Sequence, residues 1–295
     1  MLKWLAVAAV VWVALSVVLF FVSAQLQDGV SARTESALSD GGSLLSGSNI
    51  LVLGSDQRPE GSKEPGAQTQ GPGRADSILL LHVGVGSVRR LSILRDTVVD
   101  IPGHGQDKIN ASYAIGGAAL TVETVEGFLG NGLEINHVIE VNFEEFPDLI
   151  NALGGIDVTL KRCVRAAPFG GRKFSLPRGE HHLNGRQALA FARIRKNRCA
   201  PNEDDRARAA RQQQVLSAIR GKALSPSTFF RLPWVSWAAP RTIRTDMKGP
   251  GMATLFTDLL TGGGGKTRVL SPFQLNPLLV SEDERRSAVR ELLRG

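Results

Sequence analysis

The chain is poor in the residues that most often announce a metal or thiol chemistry. Its 295 residues hold two cysteines, Cys163 and Cys199, and five histidines. No CxxC pair and no Cys/His spacing of the metal-binding kind occurs, which excludes a zinc module. No internal repeat at a solenoid period is present, which excludes a repeat array. Formal charge is absent from Trp4 through Gln27, and the stretch from Trp4 to Val22 is apolar except for Ser16.

That uncharged stretch predicts a membrane-spanning helix. A hydrocarbon core of about 30 Å takes roughly 20 apolar residues at about 1.5 Å each. Lys3 precedes the run, whereas Asp28, Arg33, Glu35 and Asp40 follow it. The positive-inside rule then places residue 1 in the cytoplasm and everything beyond the helix outside, as a single-pass protein of the cell membrane. A cleaved secretory signal is the alternative, because Val22-Ser23-Ala24 resembles a small-residue cleavage site. The run exceeds the roughly 7 to 15 residues of a signal core, which favours a retained anchor. The reading divides the chain into 1–27 (cytoplasmic end and membrane helix), 28–47 (linker) and 48–295 (an extracytoplasmic domain).

The net charge of +7 would ordinarily invite a nucleic-acid partner. Export excludes one, and points instead to anionic lipid head groups, phosphorylated glycans or pyrophosphate. In an oxidising compartment Cys163 and Cys199 are expected to form one disulfide, stapling the segment before an arginine cluster to the segment after it; two free buried thiols are the alternative.

Short aliphatic runs at Asn49–Leu53, Ser77–Val83, Leu91–Leu94, Val138–Val141 and Ile156–Leu160 read as strands buried on both faces. Helix-like stretches lie between and after them, at Ala118–Leu129, Phe143–Leu153 and about Asp204–Ala223. An edge strand is expected at Thr267–Leu270, and further helices at Ala253–Leu260 and Glu282–Leu293. The fold class is therefore α/β, a three-layer α/β/α sandwich preceded by one transmembrane helix.

The charged residues gather at the ends of these runs. The first strand leads into Asp56 and Arg58, the second is preceded by Arg74-Ala75-Asp76, and the third ends in Arg95-Asp96. Ligands collect at strand ends in α/β sheets. Paired carboxylates such as Asp56 and Asp76 suit a hard cation that keeps its waters and shares phosphate oxygens; each taken alone reads as a turn or cap residue. Lys108-Ile109-Asn110 adds a cation at the expected start of a further helix. Arg193 and Arg195, with Ala192 and Ile194 alternating, are expected to leave one face of an extended backbone. On the following helix Asp205, Arg208 and Gln212 fall on a stripe continued by Val215, Leu216 and Ile219, which predicts a core-facing surface. Buried charges need partners, and arginine forks match phosphate oxygens, so the cluster reads as a pyrophosphate cradle. An internal salt-bridge network is the other reading.

In order, Asn49 through Arg58, Arg74-Ala75-Asp76-Ser77, Arg95-Asp96-Thr97, Lys108-Ile109-Asn110-Ala111, Leu153-Gly154-Gly155-Ile156-Asp157, Leu183 through Leu189, Arg193-Ile194-Arg195 and Asp205 through Gln212 resemble the LytR-CpsA-Psr family. The resemblance spans about Asn49 to Gln214. It implies a sandwich with a mixed central sheet and a phosphotransferase. Such an enzyme moves a glycopolymer from a polyprenyl-pyrophosphate donor to a peptidoglycan acceptor hydroxyl with Mg2+ (or Mn2+), leaving polyprenyl phosphate. It also implies that Asp56 and Asp76 hold the metal, that Arg74, Arg95, Lys108, Arg193, Arg195, Arg208 and Gln212 contact pyrophosphate, and that Asp205 orients the arginines or serves as general base. Apart from the resemblance, an acceptor hydroxyl needs a nearby base, and Asp96, next to Arg95, or Asp205 is the candidate. Leu94 departs from the proline usual at that place in the family, which relaxes the backbone but leaves Arg95-Asp96 in place. The polymer, whether arabinogalactan, teichoic-type or capsular, is left open. A lipid pyrophosphatase and a non-enzymatic envelope regulator are the rival functions.

Overall fold

The computed structural model describes residues 2–27, 29–41, 47–55, 73–84, 87–166, 173–194, 196–203, 205–262 and 267–294. Helices α1 (Leu2–Leu26) and α2 (Ala32–Ser36) lead into β1 (Ser48–Ser55), β2 (Ala75–Gly84), β3 (Ser87–Ile93), β4 (Val98–Ile101) and β5 (Gly105–Lys108). There follow α3 (Ala111–Leu129), β6 (His137–Val141), α4 (Phe146–Leu153), β7 (Ile156–Leu160), β8 (Val164–Arg165), β9 (Ser175–Leu176), β10 (Gly179–Leu183) and α5 (Gly185–Arg193). The chain continues through α6 (Asp205–Ala223), α7 (Pro226–Phe229), α8 (Leu232–Arg241), β11 (Ile243–Thr245), α9 (Gly249–Thr261), β12 (Thr267–Val269), β13 (Gln274–Leu275), β14 (Leu278–Leu279) and α10 (Glu282–Arg294). These elements form two compact units: Met1–Asp28 with Asn142–Ile243 and Lys248–Met252, and Gly29–Val141 with Arg244–Met247 and Ala253–Gly295.

The second unit is built on a six-stranded sheet in the order β11-β6-β1-β2-β3-β12. It is mixed: β1 runs parallel to β6, and β3 to β12, whereas β2 is antiparallel to both β1 and β3. Register places Leu51 opposite Leu80 and Leu80 opposite Leu91. With side chains alternating along each strand, Leu51, Leu53, Ile78, Leu80, Leu91 and Ile93 share one face. That face buries Ala118, Val122, Val125 and Leu129 of α3 and Ala288, Val289 and Leu292 of α10. The α3 positions recur at four, three and four residues, the period of a helix with one apolar stripe. Each fully buried aliphatic side chain stabilises the fold by about 1.5–3 kcal/mol relative to exposure. On the opposite face, Gly262 directly after α9 approaches so closely that an added Cβ would meet the Val88 methyl at 2.8 Å. The expected edge strand is present as β12.

Helix α3 starts at Ala111, earlier than the expected Ala118, because Gly116 and Gly117 leave helical geometry and divide it; Gly117 has φ +66°, which glycine tolerates without strain. On the α3 face Nδ1 of His82 donates to Asn49 Oδ1 at 2.8 Å, while the Asn49 amide donates to the Glu134 carbonyl. Burial, then Arg89, lowers the His82 pKa below its ordinary value.

The first unit has its own core around Ile150, Ile156, Val158, Leu183, Phe191 and Val215, drawn from α4, β7, β10, α5 and α6. Here β7 departs from expectation. It pairs with β10 in a separate two-stranded sheet and is buried only at alternate residues, because Asp157 and Thr159 face outward. Helix α5 begins with a capping box, in which Asn184 Oδ1 accepts from the Gln187 N–H and Gln187 accepts from the Asn184 N–H. Helix α1 is, among the described residues, the one helix long and apolar enough to cross a membrane.

Candidate active site

In the second unit the structure joins four of the residues singled out by sequence. Strand β3 ends in a tight turn, where Thr97 N–H and Oγ1 both donate to the Leu94 carbonyl, at 3.0 and 2.6 Å. The two central positions of that turn are Arg95 and Asp96, so both side chains are projected past the strand end. The backbone of Arg95 and Thr97 is tied in turn to the exit of β5: Ile109 N–H donates to the Thr97 carbonyl at 2.8 Å and Asn110 N–H to that of Arg95 at 3.2 Å. This lashing brings Lys108 alongside, at the end of β5 and just before the helix expected there, which opens as α3 at Ala111 with Asn110 as its N-cap.

The side chains then form a continuous ion-pair chain. Arg95 Nη1 donates to Asp76 Oδ1 at 2.8 Å, Arg95 Nε lies 3.4 Å from Asp96 Oδ2, and Lys108 Nζ donates to Asp96 Oδ1 at 3.0 Å. Asp76 and Arg95 are largely buried, with 15% and 17% of their side chains exposed, and Lys108 is half exposed. Charges alternate along the chain, so each carboxylate is neutralised and each cation is oriented. Arg74 is exposed just before β2. Ser55, the last residue of β1, pairs with Ala75 at the start of β2. Asp56, the residue after it, lies outside the described residues.

Two more features belong to this neighbourhood: Asn110, which the sequence reading named beside Lys108, and Tyr113, which it did not. Asn110 is buried at 4% exposure, and its Oδ1 has no hydrogen-bond partner among the described residues. Tyr113, on the first turn of α3, donates to Glu140 Oε1 at 2.6 Å. Glu140 stands opposite Leu53 near the same end of β1. Asp76 and Asn110 each offer an oxygen donor of the kind a hard cation takes; among the described residues no group of three or more His, Cys, Asp or Glu is gathered that could hold a metal ion.

The first unit holds the remaining candidates. Arg193 is the last residue of α5 and not part of an extended strand, and its guanidinium lies 5.4 Å from the centre of the Phe143 ring. Arg195 lies outside the described residues. On α6, Arg208 is 5% exposed and Gln212 half-buried, so the polar stripe is inward-facing as expected. Its apolar continuation differs, for Val215 is buried whereas Leu216 is 49% exposed. The side chain of Asp205 lies outside the description.

Arg211, absent from the sequence candidates, is a second buried arginine. Its Nη1 donates to Glu203 Oε2 at 2.7 Å and its Nη2 to the Ile194 carbonyl at 2.8 Å. Asn197 completes the frame: its amide donates to the Cys163 carbonyl and to Glu203, and its Oδ1 accepts from the Arg165 and Cys199 N–H groups. Cys163 and Cys199 are disulfide-bonded, with Cα atoms 5.9 Å apart. Described residues between α5 and α6 are therefore pinned by the disulfide and by the Arg211–Glu203 pair; the network that the sequence left open, among Arg193, Arg208, Asp204 and Asp205, is a different set, of which Asp204 and the Asp205 side chain lie outside the description.

Comparison with known proteins adds independent evidence. The model of the LytR_cpsA_psr family matches residues 24–269. A Bacillus mycoides protein named polyisoprenyl-teichoic acid--peptidoglycan teichoic acid transferase TagU is 38% identical over 202 residues, 68% of this chain and 60% of its own length. TagT of Bacillus subtilis, named for the same activity, is 37% identical over 187 residues, 61% of this chain and 54% of its own. The chain thus spans less than two thirds of these relatives' length. Among solved structures, B. subtilis TagV superposes with a TM-score of 0.63 at 27% identity, covering 84% of this chain and 96% of that one. TagT bound to LIIa-WTA gives 0.63 at 26% identity, covering 90% and 97%.

Proposed function

The chain belongs to the LytR-CpsA-Psr family, and from that premise we propose that it is a phosphotransferase joining a polyprenyl-pyrophosphate-linked glycopolymer to peptidoglycan. The relatives' transferase names support this reading. The observation that carries it is the alternating chain Asp76, Arg95, Asp96, Lys108 at the end of the central sheet.

Phosphoryl-type transfer asks little covalent chemistry of a protein; it asks for positioning and for fixed positive charge on the phosphate oxygens. In the proposed reaction the acceptor hydroxyl oxygen bonds to the phosphorus that carries the glycan. The bond from that phosphorus to the bridging oxygen breaks, and polyprenyl phosphate leaves with the electron pair. Arg95, its plane fixed by two carboxylates, and Lys108 meet the negative oxygens. Arg74, Arg193, Arg195, Arg208 and Gln212 are assigned further pyrophosphate contacts on sequence grounds. The hydroxyl proton passes to Asp96 or Asp205. Asp56 and Asp76 would hold a Mg2+ or Mn2+ ion, which when bound supplies further charge neutralisation at the diphosphate. The protein is read as a single-pass membrane protein with its catalytic part outside the cytoplasm, consistent with one apolar helix at the N-terminal end.

The test is product analysis. A synthetic glycan on polyprenyl pyrophosphate, incubated with the full chain, Mg2+ and peptidoglycan, should yield peptidoglycan-bound glycan and polyprenyl phosphate. Release of free phosphorylated glycan whether or not peptidoglycan is present would instead identify a pyrophosphatase.

A further inference from the structure

Helix α1 does not stand apart from its own unit. Trp12 Nε1 donates to the Phe229 carbonyl at 2.9 Å, the Trp12 and Trp234 rings are 5.8 Å apart, and Ser23 Oγ donates to the Trp237 carbonyl at 2.6 Å. The α7–α8 segment therefore accompanies α1 from Trp12 to Ser23. Eleven residues at about 1.5 Å each amount to roughly 16 Å, about half of a hydrocarbon core of about 30 Å. Whatever lies against Trp12 shares the depth of Trp12.

The segment is made for such a medium. Phe230 is 73% exposed, Trp234 59% and Leu224 56%, an apolar surface that water would not favour. Between Leu224 and Pro240 the single charge is Arg231, an exposed residue whose guanidinium reaches to 3.0 Å from where a Cβ on Gly154 would stand, so that it has to snorkel or stay paired with protein. Lys222 and Arg241 bracket the segment at its two ends, as cations bracket membrane-inserted elements. Backbone groups at the turns are bonded internally: Thr228 N–H to Ser225, Arg231 N–H to Thr228 and Val235 N–H to Arg231, while Thr228 Oγ1 donates to the Lys222 carbonyl. Internal satisfaction of backbone groups is what hydrocarbon demands.

We propose that α7 and α8 are inserted into one leaflet of the bilayer beside α1, with Phe230, Trp234 and Leu224 facing lipid. The occupant of this surface is bilayer lipid, and the proposal rests on the reading that α1 crosses the membrane. Such a wedge would hold the domain against the surface in which a polyprenyl-linked donor resides.

The unaltered full chain, reconstituted in phosphatidylcholine/phosphatidylglycerol vesicles carrying a diazirine-labelled acyl chain, provides the test. After photolysis, mass-spectrometric mapping should find lipid adducts on α1 and on the peptide containing Phe229 to Trp234. Adducts on α1 with none on that peptide would overturn the proposal while leaving the spanning reading intact; a second copy covering the aromatics would give the same result. Adducts on neither would overturn both. Phe230→Asp, at an exposed position, should lower adduct yield on the segment several-fold without changing that on α1, and an unchanged yield would also overturn the proposal.

Discussion

A guanidinium held between two carboxylates cannot swing away, which is why Arg95 matters more to the proposed chemistry than an exposed arginine would. Arg95→Ala is expected to lower turnover about 100-fold, the usual effect of removing one fixed donor from developing negative charge. Arg95→Lys should fall between, because an ammonium keeps the charge and loses the fork; steady-state release of polyprenyl phosphate measures both. A second residue reports on the scaffold. Glu126 accepts from the Ile135 N–H at 2.6 Å, and burial in the first place raises its pKa above the ordinary value of about 4.5, against the lowering effect of that bond. A carboxyl whose folded pKa is raised contributes stability below its unfolded pKa, and that contribution is lost as pH rises through the folded value. Glu126→Gln keeps an acceptor for Ile135, so chemical denaturation between pH 4 and 7 should show the wild type losing stability relative to the variant as pH rises. At this scale Asp76, Arg95 and Asp96 were legible because they flank aliphatic runs, and Lys108 because it stands just before an expected helix. The Tyr113–Glu140 pair was not, since its members stand 27 residues apart and neither belongs to a local pattern.

Elements set where those residues can point. Alternation of Ala192 and Ile194 around Arg193 imitates a strand, yet the capping box at Asn184 and Gln187 starts a helix that runs through Arg193. The start signal was present in the residues, and the two-residue period outweighed it. Asp157 and Thr159 likewise marked β7 as one-sided, an alternation hidden by the apolar residues around it. The connection between α5 and α6 owes its shape to contacts that spacing alone does not disclose, above all Arg211 with Glu203 and the Ile194 carbonyl. Arg211→Ala would leave the part-buried Glu203 carboxylate without its cation and the Ile194 carbonyl without its donor, and should destabilise by about 2–3 kcal/mol, read by denaturant unfolding. The Cys163→Ser/Cys199→Ser double variant opens a link across a separation of 36 residues and should cost about 4 kcal/mol on the chain-entropy view. Arg193→Ala, which also removes the contact with the Phe143 ring, is expected to reduce activity, read by release of polyprenyl phosphate from the folded variant.

At the scale of the whole molecule, a mixed sheet with β1 and β2 at its centre delivers strand-end residues from three different stretches of sequence to one edge. That is why ordered short motifs, each weak alone, identify the family together. The division into two compact units was not legible, because the apolar runs of both units resemble each other until their pairing is known. The most direct measurement is transfer itself. The full chain in vesicles, given labelled glycan on polyprenyl pyrophosphate, Mg2+ and peptidoglycan, should attach label to peptidoglycan with one polyprenyl phosphate released per glycan, and folded Arg95→Ala should do so about 100-fold more slowly. Hydrolysis without attachment, or undiminished attachment by Arg95→Ala, would contradict the account.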